Sequence, residues 1–598
     1  MQFKSLTARV RSSARFCLLC VLCVSVVSSF LTTPLRAATP RDELLRLVPD
    51  PVGFCVVVQD LRGHAASLQE SPFFEQLKQS PLADKIRKSE ELKKLDRIEA
   101  RMKEKLGLDW ARLRDDLLGD AIVFAYRPGP PGKSEQEQGV ILIRARNAKI
   151  LADTIERINK VQKEDGELKE LEERRHNDSV YYRRLEYDKR AERDKPPGFY
   201  YVHGPILAFS GQESMLRQTI DCDRMRSADA VPDVTQRLRE LDADRALLAV
   251  WLNPRAFDDE VESKTAGAPA ERVATVKHFA SYWKALDSVV VSLAPAERDI
   301  NLSLGLRARV EELPPGARKL FREGAAPSAV WRRFPQEALL AVGGRFDGAT
   351  LLDVLGGFMT PKARQSLHTN LNRQLGTLLG TEDFAKDVLP GLGPDWGLCL
   401  TAPAARDEGW LPHTLFALRV DPDRARKSLQ RDLFDAFDFA ARLAIFAHAG
   451  QQRDRPMLLK KTNVDKQEVH YLTSERGLPP GVRPAYGLLN GYLVLASSLE
   501  SMTRFAQAPP DSAPSADAPV PLLRISFKAW RAYLQERRQP LVQFLVDQNK
   551  LSREAADKQV DGVLAALQFV DRIELRQRSG SGQVIFTLSV QTAQALRK

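Results

Sequence analysis

The feature that most constrains this chain is a repetition within it, because the same order of local patterns occurs twice. A proline-led apolar run at residues 48–61 resembles residues 334–347, and residues 106–120 resemble residues 379–395. The spacing between matched positions is nearly constant, which is typical of a duplicated structural unit. We therefore predict two similar halves in tandem. The alternative is convergent patterning in two unrelated α+β units.

The repeat and the segments between its parts predict the domain boundaries. At 598 residues the chain exceeds the length that a single hydrophobic core fills, and linkers are expected where Pro, Gly and Ser concentrate. The predicted parts are a signal peptide (1–38), a first half (39–307) with a large unit (48–220) and a small unit (244–307), a linker (308–330), and a second half (331–598) with a large unit (333–506) and a small unit (521–595). Shorter linkers are expected at 221–243 and 507–521.

Hairpin patterns dominate both halves and predict the fold class. Residues 121–144 and 396–420 each contain two apolar strand patterns separated by a loop of Pro, Gly or polar residues. Strand–helix–strand crossovers are few, so an antiparallel sheet is expected. The predicted fold is α+β, in which each half is a mostly antiparallel sheet with helices packed on one side, plus a smaller α+β subunit.

Two segments of the first half carry helical or charged patterns. Leu95, Ile98, Met102 and Leu106 recur every three or four residues, which predicts an amphipathic helix with one buried face. We expect that face to pack on the sheet, with another helix or a second copy of the chain as alternatives. The segment 160–195 is densely charged and is predicted to be a solvated helix-and-hairpin excursion.

Short motifs predict where elements begin or turn. Thr360 precedes Pro361, and a capping hydroxyl before a proline predicts a helix N-terminus. His203 and Asn490 occupy matched places in the repeat, beside glycines that open apolar runs. Both are predicted to favour a turn and to have no catalytic role.

The N-terminus has the pattern of an export signal. Basic residues between Lys4 and Arg15 precede an apolar run at residues 16–30, and Ala37-Ala38 follow. This pattern predicts an exported protein of the periplasm or cell envelope. The alternative is an uncleaved segment that would associate the protein with a membrane.

The cysteines do not form a disulfide framework. Three of the six lie inside the apolar N-terminal run, where their spacing mimics part of an iron–sulfur motif but their neighbours indicate a membrane-inserting stretch: Cys17, Cys20 and Cys23. The others, Cys55, Cys222 and Cys399, are scattered. Cys55 and Cys399 lie in apolar runs and are predicted to be core residues.

The positive charge does not indicate nucleic-acid binding. The formal net charge is +11, but residues 1–38 contain five basic residues and no acidic residue. The remaining excess is spread over segments of mixed sign, without basic runs interleaved with aromatic residues. We therefore predict no nucleic-acid partner.

No motif predicts a cofactor, a metal or catalytic residues. The eight histidines do not pair at metal-ligand spacing. The segment 127–134 ends in Gly-Lys-Ser like a phosphate-binding loop, but its prolines remove backbone donors and it leads into a strand, so a hairpin loop is predicted. The acidic pairs Asp115-Asp116 and Asp258-Asp259 are best explained as surface or helix-end residues.

A family resemblance rests on three of these stretches. The strand opening at Pro49-Asp50, the segment 106–119 and the segment 490–497 resemble large exported proteins of unknown function found in planctomycetes and some other bacteria. The resemblance covers most of the mature chain. It implies export and internal duplication, and it supplies no catalytic residues.

Together these patterns favour an exported, non-catalytic protein of the cell envelope or periplasm that binds a partner or an apolar ligand on its sheet surfaces. The first alternative is a hydrolase with a dispersed active site, which a buried cluster of acids with a His or Ser would favour. The second alternative is an oligomeric envelope scaffold joined through a coiled coil.

Overall fold

The computed structural model describes the part of the chain that follows the predicted signal peptide. The described residues are 39–593 except 79, 81–82, 85–86, 190, 227–231, 270, 324–325, 347, 405–408, 452–455, 475–476, 509–518 and 581. The signal peptide and the three cysteines within it therefore lie outside the described residues. The chain divides into two compact units: unit 1 extends to Ser263 and includes Asp287–Arg307, and unit 2 includes Lys264–Leu286 and Ala308–Thr592.

Helices and strands follow one another along the first part of the chain. In order they are α1 (Pro40–Leu45), β1 (Phe54–Gln59), α2 (Leu61–Glu70), α3 (Pro72–Lys78), α4 (Glu90–Leu106), α5 (Trp110–Arg112, continued by a π-helical turn at Leu113–Leu117), β2 (Ala121–Arg127), β3 (Gln138–Arg144), α6 (Ala148–Glu164), β4 (Leu168–His176), β5 (Ser179–Asp188), β6 (Arg193–Asp194), β7 (Gly198–His203), β8 (Ile206–Ser210), α7 (Glu213–Met225), α8 (Asp233–Glu240), β9 (Leu248–Leu252), α9 (Asp258–Ala266), α10 (Val273–Ala285), β10 (Leu286–Pro295) and β11 (Asp299–Ala308).

The second part of the chain continues in the same manner. Its elements are α11 (Pro315–Glu323), α12 (Val330–Arg333), β12 (Leu340–Arg345), α13 (Gly348–Gly357), α14 (Pro361–Leu371, continued by a π-helical turn at Asn372–Gly376), α15 (Phe384–Asp387), β13 (Leu392–Thr401), β14 (His413–Val420), α16 (Leu429–Gln451), β15 (Leu458–Val464), β16 (Gln467–Thr473), β17 (Ala485–Leu489), β18 (Tyr492–Ala496), α17 (Leu499–Gln507), β19 (Val520–Ser526), α18 (Phe527–Glu536), α19 (Arg538–Asn549), α20 (Arg553–Leu567), β20 (Val570–Gly580) and β21 (Gln583–Thr592). Among the described helices, none combines the length and the apolar character needed to span a membrane.

Side-chain caps fix where several helices begin. The Oδ1 atom of Asn147 accepts a hydrogen bond from the backbone N–H of Ile150 at 2.8 Å and starts α6. Thr360 accepts from the backbone N–H of Ala363 at 3.3 Å, and Pro361 is the first residue of α14. The predicted helix start at Thr360-Pro361 is confirmed.

Each unit contains an antiparallel sheet, so the predicted α+β class is confirmed. In unit 1 the hydrogen-bonded order is β10–β9–β1–β2–β3–β8–β7–β5–β4. In unit 2 the order is β21–β20–β19–β12–β13–β14–β18–β17–β16–β15. From β9 and from β19 onward, the strands therefore follow the same sequence of pairings, apart from the short β6, which pairs only with the end of β5.

One face of each sheet forms a hydrophobic core with helices. In unit 1, Cys55 and Val57 of β1 are buried, and α7 packs on β7 and β8 with Met215 fully buried. In unit 2, Cys399 of β13 lies in a core cluster with Met502 of α17. Cys55 and Cys399 are thus core residues, as predicted. In unit 1, α6 lies against the opposite face, since its Asn159 bonds Tyr200 whereas Asp223 of α7 bonds the next residue, Tyr201.

The strands expected in separate small units belong to the same sheets as the large units. β9 pairs with β1 and β19 pairs with β12. The pairing satisfies backbone groups that would otherwise form an open edge on β1 and β12. Segments expected as linkers also hold structure: α8 lies within 221–243 and buries Leu238, and α11 lies within 308–330 beside the buried Leu313. Most of the linker expected at 507–521 lies outside the described residues.

Two expectations for the first half are corrected. The predicted amphipathic helix exists as α4, but it packs on α6, the alternative of another helix, and Ile98 is 42% exposed. The segment 160–195 contains the expected helix end and hairpin, but the hairpin is no solvated excursion. Its strand β5 pairs with β7, and Tyr181 is fully buried. The charged residues of β4 suggested a solvated segment, because an edge strand carries charged residues at its exposed positions. The pairing of β5 with β7 was missed for that reason.

Candidate apolar binding face

The second face of each sheet, opposite the core face, is apolar and only partly covered. In β1 the buried Cys55 and Val57 alternate with Phe54, Val56 and Val58, which keep some exposure. Successive residues of a strand point to opposite faces, and directly paired residues on neighbouring strands share a face. The strand register therefore shows which side chains adjoin one another on this second face.

In unit 1 the register builds a continuous apolar row across the sheet. The row, named here row 1, crosses β10, β9, β1, β2, β3 and β8 and consists of Val291, Val250, Val56, Phe124, Ile141 and Phe209. None of these side chains is buried, and Val291 and Phe209 are 41% and 36% exposed. Because strands lie about 4.8 Å apart, six strands give a row of about 24 Å.

A second apolar row runs beside row 1. It consists of Leu293, Leu248, Val58, Ile122, Ile143 and Leu207. Its β8 end is covered, because Leu207 packs in a cluster with Leu151 of α6 and Leu117 of the π-helical turn. The helix α6 therefore closes one end of this face and leaves the side chains of row 1 partly open.

The sheet of unit 2 carries a corresponding row. Row 2 crosses β21, β20, β19, β12, β13, β14 and β18 and consists of Leu588, Leu575, Leu523, Val342, Leu398, Phe416 and Leu495. None of these seven side chains is buried. The same register continues from Leu495 to Tyr486 of β17 and to His470 of β16.

Row 1 ends in a neutral aromatic pair. The register leads from Phe209 to Tyr200 of β7 and then to Tyr182 of β5. The two tyrosine rings stack at a centroid distance of 5.0 Å. The amide of Asn159 on α6 donates to Tyr200 Oη at 3.2 Å. Burial raises the pKa of Tyr200, so the hydroxyl stays protonated.

Row 2 ends in a charged cluster at the matching place. His470 is 2% exposed, and its Nδ1 and Nε2 lie 2.7 Å from Asp438 Oδ1 and from Glu468 Oε1. Tyr486 Oη donates to Asp438 Oδ1 at 3.0 Å, and Arg442 Nε donates to Asp438 Oδ2 at 2.7 Å. The cluster joins α16 to β16 and β17.

The carboxylates of this cluster are held ionised. Burial alone would raise the pKa of Asp438, but hydrogen bonds from Arg442, Tyr486 and His470 outweigh it and bring that pKa below its ordinary value. Hydrogen bonds from His470 and Lys461 likewise lower the pKa of Glu468. Because both ring nitrogens of His470 already face carboxylates, this histidine has no free nitrogen for a substrate.

A separate cavity of about 600 Å³ opens in unit 2 beside α10, α11, α13 and α14. His278 and Tyr282 line it, and their Nε2 and Oη atoms are buried without a hydrogen-bond partner in the described part of the chain. The Ser281 hydroxyl donates to the backbone carbonyl of His278 at 2.6 Å, so it does not contact the imidazole. The Ser281 hydroxyl is therefore not held as a nucleophile activated by the His278 imidazole.

The structure places the residues that the sequence singled out as follows. Residues 128–137 form the predicted loop between β2 and β3. Asp258 and Asp259 start α9, as expected for helix-end acids. Within the described ranges, no group of three or more His, Cys, Asp or Glu residues could hold a metal ion.

The turn position predicted for His203 is wrong, whereas the one predicted for Asn490 is confirmed. The register pairs His203 with Ile206 and Leu489 with Tyr492, so Leu489 and not Asn490 occupies the matching position. His203 is the last residue of β7, and its Nδ1 lies 2.6 Å from Asp223 Oδ2. Gly204 and Asn490 take the turn position with positive φ.

Sequence reasoning missed the cluster around His470. Its only local signal is that Glu468 and His470 are two residues apart on one strand and so share a face. Asp438 lies 32 residues from His470 in the sequence, on a helix, and no pattern connects them.

Comparisons with known proteins add little. No protein-family model matches the chain, and no curated protein is similar to it. Among solved structures, crystal form I of TP0453 is similar with a TM-score of 0.22 and 8% identity, covering 44% of this chain and 79% of that chain. Crystal form III of TP0453 gives a TM-score of 0.20 and 10% identity over the same shares. Similarity at this level does not establish a shared fold.

Proposed function

We propose that this protein is an exported, non-catalytic binding protein of the cell envelope or periplasm that holds an apolar ligand or partner on the second face of its sheets. The observation that carries the proposal is row 1, in which six apolar side chains on six neighbouring strands keep partial exposure. The N-terminal sequence pattern supports the export part of the proposal.

The physical reason is the composition of this face. When one face of an antiparallel sheet packs on the core and the other meets water, the side chains on the water-facing side are usually polar. Rows 1 and 2 are apolar instead, and each square ångström of such surface removed from water contributes about 25 cal/mol. A ligand that covers the rows therefore gains binding energy without any catalytic group.

We also propose that units 1 and 2 are copies of one module. The support is the common strand order from β9 and from β19, together with the repeated sequence patterns. The two copies would each present an apolar row, and they differ in the chemistry at the end of the row.

The hydrolase alternative has one observation in its favour, because a buried histidine lies among carboxylates at His470. Both of its ring nitrogens are occupied, however, and the Ser281 hydroxyl bonds the backbone carbonyl of His278 and not its imidazole. The scaffold alternative rests on the exposure of Ile98 on α4. The binding function is therefore the one we advance.

Fluorescence of 1-anilinonaphthalene-8-sulfonate with the purified chain, and its displacement by palmitate, tests the proposal. Phe209→Ser removes an exposed member of row 1 and should weaken dye binding about tenfold, the equivalent of about 1.4 kcal/mol of lost apolar contact. Phe446→Ser is the matched control, since Phe446 is 78% exposed but lies on α16 outside both rows. Absence of dye binding, or an equal loss in both variants, would contradict the proposal.

A further inference from the structure

The helix α16 closes the end of row 2 through aromatic contacts. Phe434 of α16 meets the imidazole of His470 edge-on at a centroid distance of 4.7 Å. Phe437, one turn further, lies 6.0 Å from the ring of Tyr486. Tyr486 and His470, which continue the register of row 2 beyond Leu495, are thereby buried under α16.

The hydrogen bonds of His470 need a doubly protonated ring. A neutral imidazole has one N–H, so it donates to one carboxylate and turns a lone pair toward the other. Both of its nitrogens lie 2.7 Å from a carboxylate oxygen, Asp438 on α16 and Glu468 on β16. Only the imidazolium donates to both oxygens and so connects the helix to the strand.

The other charged groups around the ring already have partners. From α16, Arg442 bonds the second oxygen of Asp438 at 2.7 Å. From the hairpin β15–β16, Lys461 bonds Glu468 Oε1 at 3.0 Å. From β17, Tyr486 bonds Asp438, and burial and the carboxylate raise the pKa of this tyrosine so that it stays neutral. Loss of the imidazolium proton therefore removes one link between α16 and β16, and neither Arg442 nor Lys461, each bonded to one of the carboxylates, replaces it.

Unit 1 has a neutral arrangement at the matching register. Tyr182 of β5 faces Tyr200 of β7, as His470 of β16 faces Tyr486 of β17. Asn159 of α6 bonds Tyr200 where Asp438 of α16 bonds Tyr486. Val180 stands two residues before Tyr182, as Glu468 stands before His470. The chain thus contains an uncharged counterpart of the cluster.

We propose that His470 is a protonation-dependent latch, in which the imidazolium ties α16 to β16 over the end of row 2. When the ring loses its proton, α16 loosens and the sheet surface that continues row 2 beyond Leu495 becomes accessible. Only this last step, access to an apolar ligand, depends on the proposed function. The latch itself depends on the geometry of the cluster alone.

Hydrogen exchange of the full chain, read by mass spectrometry between about pH 5 and 9, tests the latch. After correction for intrinsic exchange, protection of α16 relative to α6 should fall about tenfold with rising pH, because about one charge-assisted hydrogen bond is lost. The triple variant D438N/E468V/H470Y copies the side chains of unit 1 and should remove this dependence while keeping both helices protected. A pH-independent ratio in the unmodified chain would overturn the latch.

A second measurement reads the proton directly. In protein labelled with ¹⁵N-histidine, with the signal assigned by its loss in H470Q, both nitrogens of His470 should carry protons under the conditions in which α16 is most protected. A single protonated nitrogen would overturn the proposal even if exchange depends on pH. If dye binding is absent at every pH while the protection of α16 relative to α6 still changes with pH, the proposed function fails and the latch stands.

Discussion

Replacing Tyr486 with Phe should destabilise unit 2 more than replacing Tyr200 with Phe destabilises unit 1. Tyr486 Oη donates to the ionised Asp438 at 3.0 Å, whereas Tyr200 Oη accepts from the amide of Asn159 at 3.2 Å. Hydrogen bonds to charged groups contribute about 1.5–3 kcal/mol and neutral ones about 0.5–1.5 kcal/mol. Asp438 keeps other donors in the variant, so we expect losses of about 2 kcal/mol for Y486F and about 1 kcal/mol for Y200F.

The comparison is matched in packing. Both tyrosines are about equally buried, since Tyr486 is 6% exposed and Tyr200 is 5% exposed. Removing the hydroxyl therefore costs a similar amount of packing in the two variants. The difference between the two variants then reports the charge of the acceptor. Because the folded pKa of Asp438 lies below its unfolded value, this contribution is present above the unfolded value, about 3.9, and disappears as the pH falls through the folded value.

Hydrogen exchange in increasing urea, read separately for β7 and β17, gives the free energy of opening around each tyrosine. The difference between the variants should persist at pH 7 and shrink below about pH 4. Equal losses at pH 7, or a larger loss for Y200F, would refute the assignment of Asp438 as a charged acceptor.

Two further predictions concern buried groups of the core face. Ser288→Ala should cost about 1–3 kcal/mol in urea unfolding, because Trp251 Nε1 donates to Ser288 Oγ at 2.7 Å inside the core and would be left unpaired. A loss below about 0.5 kcal/mol in S288A would contradict this. Cys55 and Cys399 should resist iodoacetamide in the native chain at pH 8 and react after unfolding, since burial raises the pKa of each thiol to about 12; labelling of either residue at the rate of the unfolded chain would show that it is not protected.

The sequence predicted local features because their signals lie within a few residues. The cap at Thr360-Pro361, the hairpin loop at 128–137 and the buried Cys55 and Cys399 all depend on immediate neighbours or on apolar runs. The helix α4 was also predicted, but packing on another helix was only an alternative to packing on the sheet. Its apolar stripe indicates that a face is covered without indicating what covers it.

The amino-acid sequence alone determined the α+β class and many of its strands, since hydrophobic periodicity and turn residues are properties of short segments. Only the tertiary structure decided which strands are neighbours, and it placed β9 beside β1 and β19 beside β12. Strand register decided the rest, because a slip of one residue moves every side chain to the other face. That register aligns Val56 with Phe124 and brings His470 beside Tyr486, and no local pattern encodes either contact.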